Sequence, residues 1–105
     1  MSFLGFKIWK VSDHSMSPHI PKNSYVLVNH WFKLGWAKLE SIVLIQHHFY
    51  GVILKKIALI DRHGFIWSRS EHPDSLSIEE FGPVNHKQVI GHVLFVFKQK
   101  VHEKR

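Results

Sequence analysis

Apolar and β-branched residues come in short runs along this chain, and polar breakers separate them. Val, Ile, Phe, Trp and Tyr crowd Phe6–Val11, Tyr25–His30, Ser41–Phe49, Val52–Ile60, Phe65–Ser68 and Val89–Lys98. Runs of this length, bounded by Gly and Pro, predict strands. The breakers are Pro18, Pro21, Gly35, Gly51, Gly64, Pro73, Gly82, Pro83 and Gly91. Asp61-Arg62-His63-Gly64 predicts a hairpin turn that returns into Phe65-Ile66-Trp67. Gly91, inside the last run, predicts a bulge or a close approach of neighbouring backbone. Helical periodicity is weak: Leu76–Phe81 predicts a single turn, and Trp31–Leu39 a loop or short helix. The expected class is all-β, a mainly antiparallel coiled sheet or barrel with few short helices.

Length and composition narrow this further. The 105 residues suit one domain over 1–105, with no linker or repeat to divide it. An apolar share of 45% fits a packed core rather than disorder. The absence of cysteine excludes disulfides, a thiol nucleophile and thiolate metal sites. The longest apolar runs fall far short of the roughly 18–20 residues of a membrane span. Met1–Val11 carries two lysines and no small-residue cleavage site, unlike a signal peptide. A cytoplasmic location, with peripheral membrane contact as an option, is the expectation. Fourteen Lys+Arg against eight Asp+Glu give a net charge of +6. That balance suits nucleic acid, an anionic membrane or an acidic partner, and selects none of them. The basic tail, residues 98–105, reads as solvated and frayed.

Chemistry concentrates in Val11–Val28. A strand ends there, a Ser-Met-Ser-Pro turn follows (Ser15 to Pro18), and a second strand begins at Tyr25. A serine at such a junction can expose its hydroxyl, with backbone N–H groups free to face an oxyanion. The same segment also reads as a turn serine beside a buried methionine. A nucleophilic serine needs a base, and His14 directly precedes Ser15, too close for ordinary triad geometry. The other available base is a desolvated lysine, since burial disfavours the ammonium form. Val52–Ile60 holds two lysines within an apolar strand. Alternation puts Lys55 with Ile53, Ile57 and Leu59, and Lys56 with Val52, Leu54, Ala58 and Ile60. Both faces are apolar, so periodicity does not choose between them, and lysines snorkelling from an edge strand fit equally well.

These residues carry a resemblance. Ser15-Met16-Ser17-Pro18 with Tyr25-Val26-Leu27-Val28 resembles the Ser-Met-x-Pro nucleophile box of signal peptidase I and LexA-like serine proteases. Glu40-Ser41-Ile42-Val43-Leu44 is similar to the family's second strand, and Leu54-Lys55-Lys56-Ile57 to its Lys-Arg strand. Ser75–Val84 resembles the later Ser-x-Asp-Ser-Arg-x-x-Gly-x-Val box, and Val89-Ile90-Gly91-His92-Val93 the closing Ile-Ile-Gly-x-Val strand. The boxes follow the family order from about Val11 to Phe97. The short, span-free layout with Phe-Gly-Pro-Val most resembles the nickel-type superoxide dismutase maturation proteases, which remove a leader from another protein.

The resemblance implies a serine endopeptidase acting through an acyl-enzyme. Ser15 would attack the scissile carbonyl, with Lys55 as base and then acid. Ser75, with Ser77 as its rival, would orient the lysine. The Ser15 backbone N–H would hold the oxyanion, and Met16 and Pro18 would line the cleft for an extended peptide strand. No cofactor, metal or nucleic acid enters this reading. Several residues depart from the pattern. Asp13 stands where the family has Gly or Ser, and Asn23-Ser24 and Glu40-Ser41 replace its Gly-Asp pairs. Ser77 and Glu79 replace the Asp and Arg of a bracing ion pair. These departures leave a second reading open: an inactive relative serving as a basic peptide- or nucleic-acid-binding module. Ten histidines invite a metal, yet no His-Glu-x-x-His occurs, and His47-His48 would face opposite ways on a strand. Trp31, Phe32 and Trp36, near Lys33 and Lys38, form a candidate patch for substrate or a membrane surface.

Overall fold

Strands form where β-branched residues alternate between core and solvent. In Tyr25–Asn29, Val26 and Val28 are fully buried while Tyr25 faces out. A computed structural model of the chain describes residues 2–3, 5–13, 16–17, 19–30, 39–72 and 75–98. Its strands are β1 (Ser2–Phe3), β2 (Phe6–Lys10), β3 (Tyr25–Asn29), β4 (Ile42–His47), β5 (Gly51–Ile60), β6 (Ile66–Arg69) and β7 (Val89–Phe97). They make one antiparallel sheet in the order β1-β2-β3-β7-β4-β5-β6. Among the described residues this sheet is open, with β1 and β6 at its edges, so the barrel alternative is set aside. The Trp31–Leu39 segment and its aromatic patch lie outside the described residues up to residue 38, as does the tail beyond Lys98.

The expected hairpin turn is present and held by a side chain. Asp61 Oδ1 accepts from the backbone N–H of His63 at 2.9 Å and of Phe65 at 3.0 Å, and its Oδ2 accepts from the Trp67 indole. Gly64 sits at φ 87°, which only glycine adopts without strain. Gly91 answers the expectation placed on it. β7 carries two register shifts, one against Leu27/Val28 and one against Leu44/Ile45. A Cβ on Gly91 would run into the Val28 side chain and lie 2.6 Å from the Asn29 carbonyl oxygen. Gly91→Ala should therefore lower stability by about 2 kcal/mol, seen as a lower urea midpoint at unchanged slope.

The centre of the sheet is buried on both sides. Val11, Met16, Ile20, Val26, Val28, Leu44 and Leu54 pack on one face. Val43, Ile45, Ile57, Ile66, Phe81, Val84 and Val89 pack on the other. The second face is closed by α1 (Ile78–Phe81), a single turn with a capping box. Among the described residues no helix is long and apolar enough to cross a membrane.

Candidate functional site

β5 pairs with β4 through Val43 opposite Lys55 and Leu44 opposite Leu54. Cross-strand partners share a face, so Lys55 belongs with Val43 on the Phe81 side of the sheet. It is 1% exposed, whereas Lys56, on the other face, is only partly covered. Burial therefore separates two lysines that periodicity alone does not distinguish. Its Nζ donates to Ser70 Oγ at 2.8 Å and lies 4.2 Å from the centre of the Phe81 ring. Removing an ammonium from water is costly, and burial lowers the Lys55 pKa to about 8. The half-buried Asp13 carboxylate works against this shift by favouring the charged amine.

Phe81 is itself fixed. His47 Nε2 lies 3.1 Å from the Phe81 carbonyl oxygen, and the two rings are 4.4 Å apart between centres. The Phe49 N–H donates to His47 Nδ1 at 3.0 Å. With Nδ1 accepting, the proton sits on Nε2 and is donated to Phe81.

Two assignments of site residues need correcting. Among the described residues, the hydroxyl on Lys55 is that of Ser70 and not of Ser75 or Ser77. Ser77 caps α1: its Oγ accepts from the Glu80 N–H at 3.1 Å, and Glu80 Oε1 accepts from the Ser77 N–H at 3.0 Å. The Ser75 N–H donates to the His72 carbonyl at 3.0 Å in the approach to that turn. Met16 does not line a cleft. It is 1% exposed within the first core cluster, and its carbonyl accepts from the Ile20 N–H, so it anchors the turn. Ser15 and Pro18 lie outside the described residues.

Ser70 escaped sequence reasoning for a geometric reason. Counted back from the Asp61–Gly64 turn, an unbroken register would put Glu71 opposite Lys55. A shift between Ile57 and Leu59 leaves Ala58 as an extra residue and pairs Lys56 with Arg69. The next residues along, Lys55 and Ser70, then meet.

The outer side of the same strands carries an ion-pair cluster. Lys56 Nζ is 2.7 Å from Glu71 Oε2 and 3.9 Å from Glu40 Oε1. Arg69 Nη1 is 3.3 Å from Glu71 Oε2, and its Nη2 pairs with Glu40. The hydrogen bond from Lys56, reinforced by its charge, holds the Glu71 carboxyl below its usual range. No three His, Asp or Glu side chains come together to hold a metal among the described residues.

Asp13 makes a direct test of the local electrostatics. In Asp13→Asn the Lys55 pKa should fall below about 8, because the anion that favours the ammonium is gone. An NMR titration of the lysine side chain reads this. A midpoint that stays or rises would show that the charge does not reach Lys55.

What fold and site define together is an antiparallel β-sheet protein with a buried, low-pKa lysine seated on a serine hydroxyl. No known protein family model matches the chain, and no curated protein matches it.

Proposed function

We propose that this chain is a serine endopeptidase of the signal-peptidase type, with Ser15 as nucleophile and Lys55 as general base. It cleaves a leader or pro-segment from another protein. The observation that carries the reading is the Lys55 amine, buried within an apolar strand, 2.8 Å from a hydroxyl and with its pKa lowered to about 8. An amine in that state takes a serine proton near neutral pH, which an exposed lysine does not. Ser15 lies in sequence between Asp13, whose charge acts on Lys55, and Met16, which shares a core cluster with Leu54. Ser70 takes the orienting role that the resemblance gave to Ser75.

In the reaction so proposed, Ser15 Oγ bonds to the scissile carbonyl carbon while Lys55 takes its proton. The C–N bond breaks as Lys55 returns that proton to the leaving amine, and water then hydrolyses the ester. Backbone conformation adds support for the resemblance. Asn23 and Glu40 have φ of 75° and 72°, the left-handed region that glycine enters freely, at the two positions where the resembled family carries glycine. The missing bracing ion pair also has a counterpart in Lys56–Glu71. Acylation of the purified protein by a p-nitrophenyl ester, with Ser15→Ala beside it, tests the proposal.

One feature favours a binding module as a second reading. Phe6, Ile8, Tyr25, Phe95 and Phe97 are exposed on β2, β3 and β7, and the Lys10 ammonium lies 5.9 Å from the Tyr25 ring centre. These three strands hold no Asp or Glu. Such a surface suits an anionic, partly apolar partner. A binding module would keep its affinity in Ser15→Ala and Lys55→Ala, whereas an enzyme loses turnover in both.

A further inference from the structure

On the reading that Lys55 is the general base, we infer that Glu71 is its positioning residue, acting through Ser70. β6 ends at Arg69, so Ser70 stands beyond the last ladder pair and needs another hold. Both of its chain neighbours are tied down. Glu71 Oε2 accepts from Lys56 Nζ at 2.7 Å and from Arg69 Nη1 at 3.3 Å. Lys56 is the residue next to Lys55, so two contacts run side by side across the same strands. Lys55 meets Ser70 on the buried side, and Lys56 meets Glu71 on the outer side. Glu40 closes the cluster by pairing with both Lys56 and Arg69.

The division of labour follows from exposure. Partly exposed ion pairs contribute little to global stability, so the cluster acts mainly by fixing the Ser70 hydroxyl. A loosely held hydroxyl would let the Lys55 amine wander, and general-base catalysis is sensitive to displacements of about 1 Å. The other charges bearing on these groups are His19 on Glu71 and Asp13 on Lys55.

The test titrates Lys55 by NMR in the full chain, carrying labelled lysine, for wild type, Ser70→Ala, Glu71→Gln, Glu71→Asp and the Ser70→Ala/Glu71→Gln double variant. Loss of the accepting hydroxyl destabilises the ammonium, so Ser70→Ala should lower the midpoint by about 0.5. Glu71→Gln should lower it by a similar amount, the double variant no further, and Glu71→Asp should recover most of the loss. Acylation by a p-nitrophenyl ester at pH 9 should slow about tenfold in Glu71→Gln. A Glu71→Gln midpoint equal to wild type, or a shift that adds in full to that of Ser70→Ala, overturns the inference. So does a midpoint indifferent to Ser70→Ala. Should the midpoints respond as expected while wild type is never acylated, the positioning stands and the protease reading falls.

Discussion

On the protease reading, Lys55→Ala should abolish acylation of Ser15 at every pH from 6 to 10, while the wild-type rate climbs with pH through a midpoint near 8. The loss should be at least about a thousandfold, the scale on which catalysis collapses when one member of a nucleophile–base pair is removed. The pH dependence follows from which form of the amine works. Only the neutral amine accepts a proton, and a pKa of about 8 leaves roughly one amine in a hundred neutral at pH 6 and half at pH 8. Lys55→Arg should fail as completely, because a guanidinium stays charged throughout this range. Acylation that survives in Lys55→Ala, or a wild-type profile flat from pH 6 to 10, would remove the lysine from the chemistry.

The second large effect concerns stability, with the opposite sign. Lys55→Met should stabilise the fold by on the order of 2–3 kcal/mol below pH 8, raising the melting temperature by roughly 10 °C. The lysine loses its proton at about 8 when folded, against 10.5 in its ordinary state. Between those values the unfolded chain binds more protons, so this group's contribution to stability rises with pH. Below pH 8 both states hold the proton, and the folded one bears the full cost of a buried ammonium. Methionine fills similar volume without a charge. The gain should shrink as pH climbs from 8 towards 10.5, and wild type alone should show that slope. A Met variant that melts below wild type at pH 6 would mean that the Ser70 and Phe81 contacts outweigh the desolvation.

Strands were legible in this sequence because local patterning and tertiary packing agree. Tyr25–Asn29 is rich in β-branched and aromatic residues and its burial alternates, and the Asp61–Gly64 turn carries its own hydrogen-bonding carboxylate. Legibility failed where a signal depends on counting across strands. Lys55 and Lys56 could not be separated because the central strands are buried on both faces, so neither face reads as polar. Ser70 was hidden by the extra residue at Ala58, which no periodicity announces. Ser77 sits in a stretch that resembles a catalytic box, yet Ser-x-x-Glu ahead of Phe81 is equally the signature of a helix cap, and here the cap has it. Met16 followed the plainer of the two readings available for its turn.

The place of β7 has a consequence for how the protein comes into being. The last strand in chain order lies in the middle of the sheet, between β3 and β4. Until it is synthesised, β1–β3 and β4–β6 are two separate ribbons, each with an unpaired inner edge. Asp13 follows the first ribbon's β2 and Lys55 belongs to the second, so the charge that opposes the lysine's pKa shift comes from the other ribbon. The two ribbons also meet where Val11, Met16 and Ile20 pack with Leu44 and Leu54. A nascent chain therefore carries Asp13 and Lys55 before the strand that lies between their ribbons has been made. On the protease reading, the complete sheet around the site, and with it full cleavage activity, is expected once β7 has paired with both ribbons.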